Sequence, residues 1–313
     1  MSALAFNNSR VQELRRLLGR RSSRHDAGRF VVEGPVLVAE AVDAGWTCLA
    51  QFVPAGSDAA VEGAGPVFEL ADGVLERVGS TDTPQAPLAV VAMPDADPGL
   101  LAAAEFVVVL DRVTDPGNLG TILRSAEAAG ADLVVATPGS VDPYNPKVVR
   151  SSAGAVFHVP VTTAEIADVA AAGIRLFGTT SHRHPGRTVR SHTDADLTGR
   201  IGIVMGNEAA GLPDGWNDEA GPIRSWVTIS HQGRSESLNV AMATTVLVFE
   251  AARQRVGQSS SSTSNDAGEI TCPCNLGSSL VNRRTWAASG GAQSGSGRVI
   301  PWPAAGSKPN REE

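Results

Sequence analysis

Phe106–Leu110 reads FVVVL, an apolar run with no polar alternation, and two similar runs follow at Leu133–Ala136 and Ile201–Met205. A strand that is apolar on both faces needs cover on both sides, which a parallel sheet between two helical layers provides. Parallel neighbours also require long crossovers, and the helical stretch at 119–129 is one of the segments that fills this need. Further strands are expected at 175–178 and 226–229. The pattern therefore predicts an α/β domain over residues 103–256, a parallel sheet with helices on both faces.

A smaller α/β domain is expected ahead of it, over residues 1–98. Strand-like runs fall at 30–33, 49–53, Val67–Leu70 and 88–93, and Pro35 is placed to open a helix through Val42. Pro94-Asp95-Ala96-Asp97-Pro98-Gly99 reads as the linker. At the front, residues 8–29 carry Arg10, Arg15, Arg16, Arg20, Arg21, Arg24 and Arg29 against only Glu13 and Asp26. Val11, Leu14, Leu17 and Leu18 share one helical face, so an amphipathic, arginine-rich helix running into a loop is predicted. Since the whole chain carries a formal charge of −7, basic residues massed in one segment point to local phosphate contact. Beyond residue 257 the composition shifts to Ser, Gly, Pro and Asn without periodicity, and 257–313 is expected to be a disordered tail.

Several classes are set aside on composition. No run of about 18 apolar residues is present, so no membrane span is expected. The N-terminus lacks the apolar core of a secretory signal, and three cysteines make no disulfide framework; both point to the cytoplasm. Cys272 and Cys274 offer two ligands with no histidine nearby in the tail, too few for a zinc site, and no metal is expected. Neither a G-x-G-x-x-G following the first strand of either block nor a G-x-x-x-x-G-K-[ST] occurs, which removes support for a nucleotide-dependent oxidoreductase or an NTPase.

Loops at strand ends are where open α/β sheets bind ligands, and three carry suggestive residues. The first runs from Asp111 to Gly120, with Asn118 in an N-cap-like place and Arg124 on the following helix. In the second, Met205-Gly206-Asn207-Glu208 breaks from a strand and continues to Gly211-Leu212-Pro213. The third starts at Ile229-Ser230-His231-Gln232-Gly233 and turns at Ser237-Leu238-Asn239 into an apolar helix whose first turns are crowded with Ala241, Ala243, Thr244 and Thr245. Ser235 or Ser237 is the expected cap. Taken singly, these also read as a capped helix, a plain turn and another capped helix.

Together, in this order, they resemble the motifs of the SpoU/TrmH-type RNA 2′-O-ribose methyltransferases of the SPOUT superfamily. Motif 1 is similar to Asp115-Pro116-Gly117-Asn118-Leu119-Gly120 through Arg124, motif 2 to Met205 through Leu212, and motif 3 to Ile229–Gly233 with Ser237-Leu238-Asn239-Val240. Arg29-Phe30-Val31-Val32-Glu33-Gly34 is similar to the start of the L30e-like substrate-binding domain that many members carry. Where many members have Ile-Pro-Met before the motif 3 glycine, this chain has Ile229-Ser230-His231-Gln232.

The resemblance implies a trefoil-knotted C-terminal sheet, S-adenosylmethionine as cofactor, and a homodimer whose active site takes groups from both subunits. It assigns Met205, Gly206, Ile229, His231, Ser237 and Leu238 to the cofactor, and Asn118, Arg124, Glu208 and Asn239 to catalysis. Arg124 is described in the family as a general base, but an arginine in water keeps its proton, so a phosphate grip is expected first. Arg15, Arg16, Arg20, Arg21, Arg24 and Arg29 are expected on RNA, with Tyr144 as a candidate for stacking a base or simply part of a structural loop. The expected activity is 2′-O-methylation of rRNA, most simply 23S rRNA. The alternatives are a tRNA substrate or a non-catalytic RNA-binding factor on the same fold.

Overall fold

A computed structural model describes residues 3–181, 188–217, 221–230, 232–234 and 237–261. Two helices, α1 (Ser9–Gly19) and α2 (Arg21–Ala27), precede β1 (Arg29–Glu33) and α3 (Pro35–Asp43). β2 (Cys48–Pro54), β3 (Val67–Leu70), α4 (Val74–Val78) and β4 (Leu88–Ala92) complete a four-stranded sheet of order β1-β4-β2-β3. The arginine-rich segment is thus two helices rather than one helix and a loop. The chain breaks at Arg20, whose extended backbone (φ −129°, ψ 126°) lets the second helix turn back toward the rest of the protein. Val11, Leu14 and Leu17 are buried, while Leu18 is only partly so.

After the short α5 (Leu100–Ala103) come β5 (Phe106–Leu110), α6 (Pro116–Ala128), β6 (Leu133–Ala136), α7 (Pro146–Ser151) and β7 (Val161–Thr163). These are followed by α8 (Ile166–Ala171), β8 (Arg175–Thr179), β9 (Val189–Ser191), β10 (Ile201–Met205), β11 (Ser225–Thr228) and α9 (Val240–Ser261). The second sheet has seven strands in the order β7-β6-β5-β10-β8-β11-β9, and every pairing in it is parallel. β5 and β6 are buried at every residue, as their unbroken apolar pattern requires. Phe106, Val108 and Leu110 pack with α6 and α9 on one face, and Val107 and Val109 with α8 on the other. This period of two is what two-sided cover demands.

The chain leaves β5 toward β6 on one side, while β10 closes against β5 from the other, with Met205 beside Leu110. The strand order reverses at this point, and loops leaving the C-terminal ends of two such neighbours diverge to form a crevice. The core on the α6 face is continuous with the front sheet, since Phe30, Val32, Val38 and Ala41 belong to the same buried cluster. α9 runs to Ser261, five residues past Val256 and into the stretch expected as tail; Cys272, Cys274 and the remainder of that stretch lie outside the described residues.

Candidate active site

The first loop is held from within the sheet. Buried Asp111 accepts a bond from Thr137 Oγ1 at 3.1 Å, and the Arg112 N–H reaches the same hydroxyl at 3.1 Å. α6 then begins at Pro116, three residues earlier than the apolar pattern suggests. Its cap is Asp115, whose carboxylate accepts the Asn118 N–H at 2.8 Å. The backbone of Asn118 is therefore committed to the helix, and its side chain is left to reach outward.

It reaches both other loops. Asn118 Nδ2 donates to Glu208 Oε1 at 3.0 Å, and Asn118 Oδ1 accepts from Asn239 Nδ2 at 3.1 Å. Glu208 Oε1 also lies 3.4 Å from the Asp115 N–H. Asn239, rather than Ser237, caps α9, accepting the N–H groups of Ala241 (2.9 Å) and Met242 (3.3 Å) on Oδ1, while Ser235 lies outside the described residues. Asn118 in the first turn of α6, Glu208 from the loop after β10 and Asn239 at the cap of α9 thus form one hydrogen-bonded line, Glu208–Asn118–Asn239.

The second loop is folded by its own asparagine. Asn207 Oδ1 accepts the Ala209 and Ala210 N–H groups, both at 3.0 Å, and Asn207 Nδ2 donates to the Arg112 carbonyl at 2.8 Å. Gly206 cannot carry a side chain here, because a Cβ would fall 2.5 Å from the Gly211 carbonyl carbon and 2.7 Å from the Leu212 nitrogen. Beneath the line opens a cleft of about 820 Å³, lined by Met205, Gly206, Ile229, Ser237 and Leu238 together with Glu208 and Asn239. Its size suits a nucleoside-sized ligand, and its lining mixes backbone groups and hydroxyls with apolar Leu212, Trp226 and Leu247. Such a surface can sandwich an adenine between apolar side chains while backbone groups read its edge. S-adenosylmethionine fits this donor set. Thr179, the last residue of β8, and Thr180 and Ser181 just beyond it also line the cleft and were absent from the sequence reading. The rule that parallel strands present ligand loops at their C-terminal ends would have found them.

Other predicted site residues lie elsewhere. His231 falls outside the described residues. Arg124 is exposed on α6 and lines a separate groove of about 1750 Å³ between the domains, shared with Thr121 and with Phe249 of α9. Arg15, Arg16, Arg20 and Arg21 are exposed on α1, α2 and their junction. Arg24 requires correction. It is 2% exposed, with its Nε and Nη2 on Asp142 Oδ2 at 2.7 and 2.6 Å, so it joins the two domains instead of meeting RNA. Arg29 is likewise drawn inward against Glu13, at 3.3 Å. Tyr144 is structural. Its ring lies 4.8 Å from that of Phe30, and burial, with the Asp142 charge adding, holds its phenol well above the usual tyrosine range. No group of His, Cys, Asp and Glu among the described residues is arranged to hold a metal ion.

The sequence itself matches the SpoU rRNA Methylase family over residues 105–249 and the MRM3-like substrate binding domain over 8–89. A 23S rRNA (uridine(2479)-2′-O)-methyltransferase of Streptomyces viridochromogenes is 34% identical over 273 residues, covering 81% of this chain and 92% of that protein. The 23S rRNA (guanosine(2553)-2′-O)-methyltransferase RlmP of Bacillus subtilis is 31% identical, covering 77% and 95%. Among solved structures, the SpoU methyltransferase AviRb from S. viridochromogenes in complex with AdoMet superposes with a TM-score of 0.70 at 32% identity, covering 80% of this chain and 99% of that one. An AdoMet-bound rRNA methyltransferase from Sinorhizobium meliloti gives 0.68 at 31%, covering 80% and 97%. With both domains matched and a relative of this identity spanned almost end to end, the chain belongs to the SpoU rRNA methylase family.

Proposed function

We propose that the protein is an RNA 2′-O-ribose methyltransferase acting on 23S rRNA with S-adenosylmethionine as donor. The observation that carries this reading is the Glu208–Asn118–Asn239 line at the lip of a nucleoside-sized cleft. The relatives above act on a uridine in one case and a guanosine in the other, so the shared target is the ribose and not the base. When bound, the cofactor supplies an electrophilic methyl group on a sulfonium. Transfer to a hydroxyl is an in-line displacement that needs the two atoms held about 3–3.5 Å apart. Glu208 and Asn239, fixed by Asn118, present an acceptor and a donor for orienting the target ribose. Gly206 from the second loop, with Ile229 and Leu238 from the third, would bring backbone groups to the nucleoside of the cofactor.

Arg124 is assigned to a phosphate of the target nucleotide, polarising the hydroxyl while keeping its own proton. It does not line the cleft of its own chain, so the proposed site is completed by a second copy. A stripe on α9 supports this arrangement: Met242 (63% exposed), Val246 (38%) and Phe249 (47%) share one helical face and remain uncovered. The same α9 packs on α6 through Ser125 Oγ and Thr245 Oγ1, 2.6 Å apart, and a trefoil threading of the C-terminal part of the sheet belongs to the same proposal. The exposed arginines of the front domain, residues 1–98, supply the grip on RNA. No helix among the described residues is long and apolar enough to cross a membrane, and an rRNA substrate would place the enzyme in the cytoplasm.

The test is transfer of labelled methyl to total rRNA and, separately, to total tRNA, followed by mapping of the labelled nucleotide. A ribose 2′-O-methyl in 23S rRNA is expected. Label confined to tRNA would keep the chemistry and overturn the substrate, and a cofactor-binding protein that labels neither would be a binder.

A further inference from the structure

Arg112 is held in a left-handed conformation, φ +52°, that side-chain-bearing residues rarely adopt. Two bonds fix that backbone: its N–H donates to Thr137 Oγ1 at 3.1 Å, and its carbonyl accepts from Asn207 Nδ2 at 2.8 Å. Strain maintained by surrounding contacts directs attention to what the side chain does. Its Nε and Nη2 both rest on Asp111 Oδ2, at 3.0 and 2.8 Å. Asp111 is buried at 5% side-chain exposure while Arg112 is 46% exposed, so the pair aims the guanidinium outward without enclosing it. Nη1 makes no bond among the described residues.

The position of Arg112 links two regions. Its stem passes Gly139, where a Cβ would come within 3.3 Å of Arg112 Cγ. The next residue, Ser140, accepts a bond on its carbonyl from Arg21 Nη1 of α2 at 3.3 Å. Two arginines, one from the basic front helices and one from the first loop, thus meet at the same turn. Arg112 also lines the cleft that holds Glu208 and Asn239. We propose that Arg112 binds the RNA backbone through a phosphate, continuing the exposed surface of Arg20 and Arg21 to the lip of the cleft, a grip made equally in the bound and reacting states. A guanidinium fixed on one edge and open on the other suits a phosphate oxygen better than a free lysine would.

This inference rests on the RNA methyltransfer reading above, and the experiment separates the two. Arg112→Gly is the informative variant, because glycine accepts φ +52° without strain and the loop keeps its path. Filter binding of a 23S rRNA fragment across a salt series, calorimetry with S-adenosylhomocysteine in the absence of RNA, and steady-state kinetics are run on the full chain. Expected are about a tenfold loss of RNA affinity and a salt slope flatter by about 0.7. The KM for RNA should rise in proportion, with kcat and S-adenosylhomocysteine affinity close to wild type. Arg112→Lys should restore the slope but only part of the affinity. Unchanged RNA affinity and slope would overturn the proposal. So would loss of S-adenosylhomocysteine affinity alone, which would give the guanidinium to the cofactor carboxylate. Because RNA binding is read without turnover, a wild-type protein that bound RNA and labelled none would refute the enzymatic reading and leave this one to its own result.

Discussion

Asn118 is bonded on both sides of its amide, with a carboxylate taking its N–H and another amide feeding its carbonyl. That leaves little tolerance for substitution. In Asn118→Asp the donor becomes an oxygen about 3 Å from Glu208, so the hydrogen bond is replaced by repulsion between two acceptors and the line is broken. The expected result is a loss of kcat of roughly 100-fold with S-adenosylhomocysteine affinity retained, read by single-turnover methyl transfer beside calorimetry. Wild-type turnover in this variant would remove the polar line from the mechanism. Arg124→Ala tests a different role. It should leave cofactor affinity intact and abolish turnover, and Arg124→Lys should recover little, since a point charge replaces a planar fork. At this scale the resemblance of the three loops to known motifs picked out Asn118, Glu208 and Asn239, which the fold brings into contact. Asp115 as the cap was not, although Pro116 at the first helical position was visible. Nor could charge pattern reveal that Arg24 meets Asp142, 118 residues away in sequence.

The elements that set the cleft depend on backbone proximity as much as on side chains. Gly206 sits where β10 ends, with backbone of Gly211 and Leu212 inside the space of a Cβ. Gly206→Ala must displace that loop, and S-adenosylhomocysteine affinity is expected to fall by more than tenfold, with a stability cost of about 1–3 kcal/mol. Titration calorimetry and thermal melting measure the two effects, and unaltered affinity would show that the loop yields freely. α9 carries a pH-dependent anchor. Glu250 accepts from Arg253 at 2.7 and 2.9 Å and from Gln254 at 2.7 Å, and these bonds, Arg253 first, lower its pKa to about 2. Gln254 in turn bonds the Ala195 carbonyl and the Leu197 N–H. A depressed folded-state pKa adds stability above the ordinary carboxylate range, and that stability is lost as pH falls from about 4.5 toward 2. Acid unfolding followed by circular dichroism should therefore be shallower over that window in Glu250→Gln than in the wild type, and identical curves would refute the anchor. Central strands were readable because burial on two faces writes an unbroken apolar run. β7 and β9 were not, since each has three residues, and Thr162, Thr163, Arg190 and Ser191 carry no apolar signal.

Across the whole molecule, the front sheet and the methyltransferase sheet are joined by polar as well as apolar contacts. Trp46 Nε1 donates to the Phe157 carbonyl at 3.0 Å, His158 meets Glu40 at 2.5 Å, and Arg150 reaches Ser80 and Glu33. Asp142 is the deepest of these joints. At 3% side-chain exposure it takes Arg24 on Oδ2, and on Oδ1 it takes the Tyr144 N–H at 3.1 Å and His25 at 3.2 Å. Arg24 Nη1 goes on to the Leu17 carbonyl at 2.8 Å, so one ion pair ties α1 and α2 to the loop before α7. Asp142→Ala would strand a guanidinium in the interior, at a cost of about 3–5 kcal/mol. For a chain of this size that corresponds to a melting temperature lower by roughly 6–12 °C. Replacing both partners, Arg24→Met with Asp142→Leu, removes the stranded charge along with the pair, and most of the lost stability should return. Calorimetry on the single and double variants decides the matter. A single variant that loses less than about 1 kcal/mol would mean that water reaches the pair, leaving the packing of Phe30, Trp46, Tyr144 and Phe157 to hold the domains in register.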